Sequence, residues 1–227
     1  LSFGEREGDL RPENIRLFAA HIEFTAVHGG ERAEITLGIP GAFTVHNALG
    51  VLGLALALGI PLAESARALA AAKPVKGRVE PVPTDGDYTI LIDYAHTPDA
   101  MENVLTAARG FARGRVVALF GCGGDRDRTK RPRMGRVGAA LADFAIVTSD
   151  NPRTEDPQAI IDDILPGLEG FDTPRAVIPD RVEAIHYAID HARRGDVIVL
   201  CGKGHETYQE INHVKHHMDE REIVADY

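Results

Sequence analysis

Tryptophan is missing from these 227 residues, and Phe and Tyr bring the aromatic share to only 6%. A protein that stacks bases along a strand needs more rings than this. Positive charge is short as well: 25 Lys and Arg stand against 34 Asp and Glu, a formal net charge of −9. Affinity for a nucleic-acid backbone comes from counterions released when basic side chains neutralise phosphates, so nucleic acid is not an expected partner. Cysteine is almost absent, with only Cys122 and Cys201 and no CxxC spacing. That suits reduced thiols in the cytoplasm better than a disulfide framework. No apolar run reaches eighteen residues, and the longest, 51–60, has only the length of a core helix. No membrane span is therefore expected. The opening LSFGEREGDL is neither basic nor apolar, so no secretory signal is expected there. Ten histidines occur without HxH or HExxH spacing. His216 and His217 sit in a polar tail, where a solvated loop is expected rather than a metal site.

What is present falls into two rhythms. From 15 to 40, apolar and polar residues alternate on either side of His28-Gly29-Gly30, the pattern of an antiparallel hairpin. Ala/Leu-rich helices are predicted over 43–58 and 62–72, the first ended by Gly59 and Pro61. The stretch 73–77, rich in Pro, Lys and Gly, is read as a boundary that divides the chain into 1–76 and 77–227. Beyond it one unit recurs: a short β-branched strand, a polar loop, an amphipathic helix. Strands are predicted at 89–92, 116–120, 144–148, 175–178 and 197–200, and helices at 99–109, 132–141, 157–168 and 181–193. Short buried strands alternating with helices imply an α/β, doubly wound, Rossmann-like domain with a mostly parallel sheet.

In such a sheet, ligands bind beyond the carboxyl ends of the strands. Four of the five predicted strands run into loops that place charged residues beside Gly or Pro: Asp93 to Pro98, Gly121 to Asp127, Ser149 to Thr154, and Cys201 to Glu206. These loops are expected to form one polar cleft. Gly121-Cys122-Gly123-Gly124 reads either as a tight turn needing positive φ or as backbone that lets an anion approach, with Arg126 beside it. Neither Lys130 nor Lys203 has phosphate-loop spacing. Asp150-Asn151-Pro152-Arg153 could be a turn, with Thr154 and Asp156 capping the next helix. It could equally project Arg153 onto a carboxylate, while Asp150 and Glu206 accept from an ammonium group. Asp93 and His96 could pair structurally or touch a nucleotide, and Arg78 could be a surface ion pair.

Six segments together identify a family resemblance: GAFTVHNALG (41–50), KGRVE (76–80), DYAHTPDAMEN (93–103), GCGGDRDRTKRPRMG (121–135), SDNPRTEDP (149–157) and GKGHETYQ (202–209). In this order they closely resemble the Mur ligases, over nearly the whole chain and in the branch that adds meso-diaminopimelate. The resemblance implies a reaction in which ATP, with Mg²⁺, phosphorylates the carboxylate of a UDP-MurNAc-dipeptide and an amino acid's amine attacks the acyl phosphate. It implies diaminopimelate contacts from Arg126, Asp150, Asn151 and Pro152, and from Arg153, Gly202 and Glu206. It implies ATP contacts from Asn47, Arg78, Asp93 and His96. The arginine in DNPR favours diaminopimelate over lysine, which lacks the second carboxylate.

The family's phosphate loop, Mg²⁺ ligands, carbamylated lysine and UDP-sugar domain are expected upstream. Residues 1–76 would then be the end of a central ATP-binding domain, with apolar surface prone to self-association, and the chain alone is expected to be inactive. Two other readings are a lysine-adding or cyanophycin-type relative and a non-catalytic Rossmann-like binding or redox module. The module should carry its glycine fingerprint after the first strand, whereas GCGG comes after the second predicted one.

Overall fold

Alternating and continuous hydrophobic runs produce two kinds of sheet, one in each compact unit, Leu1–Pro74 and Val75–Tyr227, of the computed structural model, which describes residues 1–227. In the first unit, β1 (Leu10–Leu17), β2 (Ile22–His28) and β3 (Glu31–Leu37) form an antiparallel sheet in that order. Helices α1 (Phe43–Ala57) and α2 (Leu62–Ala70) come next. Ile22, Phe24, Ile35 and Leu37 of the sheet pack with Val45, Leu49 and Leu52 of α1 in one core. The predicted hairpin is β2–β3, and β1 is an addition. Pro12 and Asn14 hide it in the sequence. Both are tolerated because β1 is an edge strand with a bulge between Glu13 and Arg16, and Asn14 has φ 55°. Leu54 on the outer face of α1 and Leu58 just past its end are 64% and 71% exposed.

In the second unit, the sheet order is β4-β5-β9-β6-β7-β8. Its strands are β4 (Glu80–Val82), β5 (Thr89–Asp93), β6 (Val116–Phe120), β7 (Phe144–Val147), β8 (Arg175–Val177) and β9 (Val197–Cys201). All neighbours pair in parallel except β4, an antiparallel edge that sequence periodicity missed because it is three residues long. The helices are α3 (Pro98–Arg109), α4 (Lys130–Leu141), α5 (Pro157–Ile164) and α6 (Arg181–Asp190). Along each strand, one set of alternate residues (Ile90, Ile92, Val117, Leu119, Ile198, Leu200) packs against Ala184, Ile185 and Ala188 of α6. On the other face Phe120 meets α4 so closely that a Cβ on Gly138 would come within 2.5 Å of its ring. With both faces covered, β6 and β9 are buried at every position, hence their unbroken apolar sequence.

Several helix boundaries differ from expectation. The predicted helix 157–168 stops at Ile164 and tightens into a 3-10 turn, Leu165–Leu168, because Pro166 has no N–H to continue the ladder. Helix α4 starts two residues early, at Lys130, and α6 ends at Asp190. The C-terminal region is structured. Strands β10 (Tyr208–Ile211) and β11 (Val214–His217) form a hairpin, succeeded by α7 (Glu220–Ala225). The hairpin turns on Asn212 and His213, both at positive φ (48° and 62°), the geometry of a two-residue turn usually signalled by Asn-Gly. His216 and His217 therefore lie on a strand, not in the solvated loop read from the sequence. No helix is long and apolar enough to cross a membrane.

Candidate functional site

The loops after β5, β6, β7 and β9 line one cleft of about 390 Å³, within the range of small-molecule sites. Strand β5 brings His96 and Thr97, β6 brings Arg126 and Lys130, β7 brings Asp150, Asn151 and Arg153, and β9 brings Gly202 and Glu206. Both signs of charge face the space, Arg126, Lys130 and Arg153 against Asp127, Asp150 and Glu206. Such a lining complements a small zwitterion better than a plain anion.

Close packing of neighbouring loops sets this geometry. The Gly124 N–H donates to the Asn151 carbonyl at 2.9 Å, and a Cβ on Gly124 would lie 1.9 Å from the Pro152 oxygen. None of the GCGG glycines has positive φ, so the tight-turn reading is corrected: glycine is needed here for proximity. The positive φ falls on Asp125 (54°). Its carboxylate accepts from the Thr154 hydroxyl at 2.8 Å and the Thr154 N–H at 3.2 Å. Thr154 is thereby occupied and does not cap α5. Asp156 does, accepting from the N–H groups of Gln158 and Ala159.

Arg153 is held in the left-handed region, φ 52°, uncommon for a residue with a Cβ. The β10–β11 hairpin clamps it there. The Arg153 N–H donates to the Glu210 carbonyl at 3.0 Å, and its own carbonyl accepts from the Asn212 N–H at 2.7 Å. Its guanidinium donates to the Gly124 carbonyl at 2.8 Å and stands 3.4 Å from Glu210 Oε2, with further N–H donors to offer. Glu206 Oε2 accepts from Asn151 Nδ2 at 2.9 Å and from Lys203 Nζ at 3.0 Å. Arg126 is exposed and touches only the Asp125 carbonyl, at 2.9 Å.

The residues assigned to a nucleotide are less concentrated. His96 lines the cleft, while Arg78 and Asp93 do not. Buried Asp93 accepts from the Val79 N–H at 2.8 Å. Burial pushes its carboxyl above the ordinary value, against the pull of backbone hydrogen bonds from Val79 and Ala95. The structural Asp93–His96 pair does not form, since His96 Nδ1 meets the Tyr94 carbonyl at 2.8 Å. Arg78 makes no surface ion pair but lies over the Tyr94 ring, 5.2 Å from its centroid. Asn47 is exposed on α1 of the first unit. Pro152 is buried behind the cleft.

Sequence reasoning missed the groups that hold the loops from behind. Arg131, wholly buried, donates to Glu155 at 2.7 and 2.9 Å and to Asp163 at 2.8 Å. Arg181, also wholly buried, pairs with Glu220 at 2.7 Å and donates to the carbonyls of Ser149 and Cys201 at 3.1 and 2.8 Å. It thereby ties the ends of β7 and β9 together. One signal was there: a cation at the first turn of α6 opposes the helix dipole, so it needs a tertiary partner. Cys122 and Cys201 are free and buried, and burial pushes the Cys122 thiol up to about 12. No three His, Cys, Asp or Glu side chains gather to hold a metal ion.

Arg131 also gives the unit an acid sensitivity. Its hydrogen bonds pull Glu155 from 4.5 down to about 2, helped by the Asp125 N–H. A carboxyl lowered in the folded state stabilises fully above its unfolded value and loses that contribution as pH falls toward the folded one. About 2 kcal/mol, after solvent screening, should disappear between those two pH values. Denaturant unfolding of the parent and of Arg131→Met at pH 6 and pH 3 checks this. The variant should be less stable at pH 6 and lose less on acidification, and equal losses would refute the linkage.

A doubly wound α/β unit with an amphoteric cleft at its strand ends has the arrangement that open α/β sheets use for small polar ligands. Residues 77–204 match the family model described as Mur ligase, glutamate ligase domain, and the chain belongs to the Mur ligase family. Two similar curated relatives are both named UDP-N-acetylmuramoyl-L-alanyl-D-glutamate–2,6-diaminopimelate ligase. The one from Clostridium botulinum is 46% identical over 100% of this chain and 47% of its own length. That from Caldanaerobacter subterraneus subsp. tengcongensis is 49% identical over the same shares, 100% and 47%. A solved structure titled as a ligase of that same name superposes with a TM-score of 0.80 at 35% identity, covering 100% of this chain and 47% of that one. The chain spans about half the length of the curated relatives it matches.

Proposed function

We propose that the cleft binds meso-diaminopimelate, and that the chain is the amino-acid-binding part of an ATP-dependent ligase that joins it to UDP-MurNAc-L-Ala-D-Glu in cytoplasmic peptidoglycan precursor synthesis. The observation that carries this is the convergence of Arg126, Arg153 and Glu206, from three separate loops, on one cleft. The names of the relatives supply the substrate class. Arg153 and Arg126 hold the far carboxylate, the group that separates diaminopimelate from lysine, and a guanidinium fork suits it geometrically. Glu206 and Asp150 accept from ammonium. Holding both ends orients the attacking amine, and orientation of this kind lowers a bimolecular barrier substantially.

In this reading the first unit is the end of the ATP-binding domain, and Asn47, Arg78, Asp93 and His96 serve the nucleotide. Bound ATP with Mg²⁺ would supply the activation of the acceptor carboxylate, while the residues of this chain bind and orient the amine. Calorimetric titration of the 227-residue chain tests the ligand assignment. Meso-diaminopimelate should bind at least about tenfold more tightly than L-lysine, the worth of one charge-assisted contact. Equal affinities, or none for either, would refute it.

A further inference from the structure

Lys203 lies between two glycines of the β9 loop with its side chain wholly buried, so it is not placed to meet a phosphate from solvent. An ammonium taken out of water needs both a counter-charge and hydrogen bonds. Lys203 Nζ has them in Asn151 Oδ1 at 2.8 Å and Glu206 Oε2 at 3.0 Å. Asn151 is committed in turn. Its Oδ1 also accepts from the Glu210 N–H at 2.9 Å, and its Nδ2 donates to Glu206 Oε2 at 2.9 Å. Two donors therefore converge on a single oxygen of Glu206, and Oε1 is left without a protein donor. Both partners of this buried cation line the cleft.

We propose that Lys203 is the positioning residue for an ammonium group of the ligand. It holds Glu206 with Oε2 tied back and Oε1 free for the incoming ammonium, and it fixes the β7 and β9 loops against each other through Asn151. The proposal rests on the reading of the cleft as a diaminopimelate site. It makes Asn151 chiefly part of this brace, since its carbonyl oxygen already serves two donors.

Lys203→Met keeps the unbranched stem and removes the charge. The test is an NMR titration of the 227-residue chain and this variant with two probes, meso-diaminopimelate and pimelate. Pimelate keeps both carboxylates and lacks both amines. The variant should bind diaminopimelate about tenfold more weakly or worse, and pimelate within about twofold of the parent. A purely structural role would weaken both equally, and that result overturns the proposal. So does undiminished diaminopimelate binding. Glu206→Gln provides a second arm: it should reproduce the selective loss, and combining it with Lys203→Met should add little, because coupled groups are not additive. Fully additive losses would contradict the coupling. Failure of the parent chain to bind diaminopimelate at all would instead remove the ligand assignment, and the proposal with it.

Discussion

Arg153→Ala is expected to weaken meso-diaminopimelate binding by about 2 kcal/mol, roughly thirtyfold in Kd, while leaving L-lysine affinity nearly unchanged. The difference between the two ligands is the reading to make. Both carry the amine that Glu206 and Asp150 would hold, and only diaminopimelate brings the second carboxylate. The guanidinium is already aimed, because its backbone is clamped at φ 52° by β10–β11 and its Nη1 is anchored on the Gly124 carbonyl. Little ordering remains to be done on binding, so loss of the group should appear almost wholly as lost affinity. Arg153→Lys keeps the charge but not the fork, and should fall between the parent and Arg153→Ala. Calorimetry with both ligands decides. An equal loss for lysine and diaminopimelate would mean that Arg153 merely shapes the loop.

The second large effect is predicted at Gly202. Its φ is +116°, and a Cβ there would stand 2.4 Å from Asp150 Oδ2. Gly202→Ala meets two obstacles at once, a backbone conformation that L side chains rarely adopt and a carboxylate in the way. The Gly202 N–H donates to the Asp93 carbonyl at 3.0 Å, next to the parallel pairing of β5 and β9, so the backbone cannot yield freely. Asp150 must then swing out of the cleft. Binding of diaminopimelate should fall below detection, and the chain should lose about 2 kcal/mol or more of stability. Thermal unfolding beside calorimetry measures both effects. Parent-like affinity would show that neither Gly202 nor Asp150 is where the ligand sits.

The sheet was legible in the sequence because its strands are buried on both faces. VVALF and VIVLC cannot be half-exposed hairpin strands, and β6 and β9 are fully buried. The cleft was legible for a related reason: parallel strands put every functional loop at one end, so the segments just past the strand ends predict the lining. The parts that escaped were set by tertiary contacts. Strand β10 pairs with β11 through an Asn212-His213 turn, without the glycine that usually marks one. Nothing in the sequence marks Lys203, Arg131 and Arg181 as buried, since Lys and Arg are seldom fully buried. Each is nevertheless wholly buried, and the acidic partners of Arg131 and Arg181 lie 24 to 39 residues away. No local pattern reports such a pairing. Strand β1 was obscured by Pro12 and Asn14, which an edge position tolerates.

The most direct test of the site is the diaminopimelate titration monitored residue by residue in an isotope-labelled chain. Amide shifts should move together in the three loops that carry Arg126, Arg153 and Glu206, and in the β10–β11 hairpin that clamps Arg153. Shifts confined to another hollow, such as that beside Tyr187 and His191 at the far end of α6, would contradict the assignment.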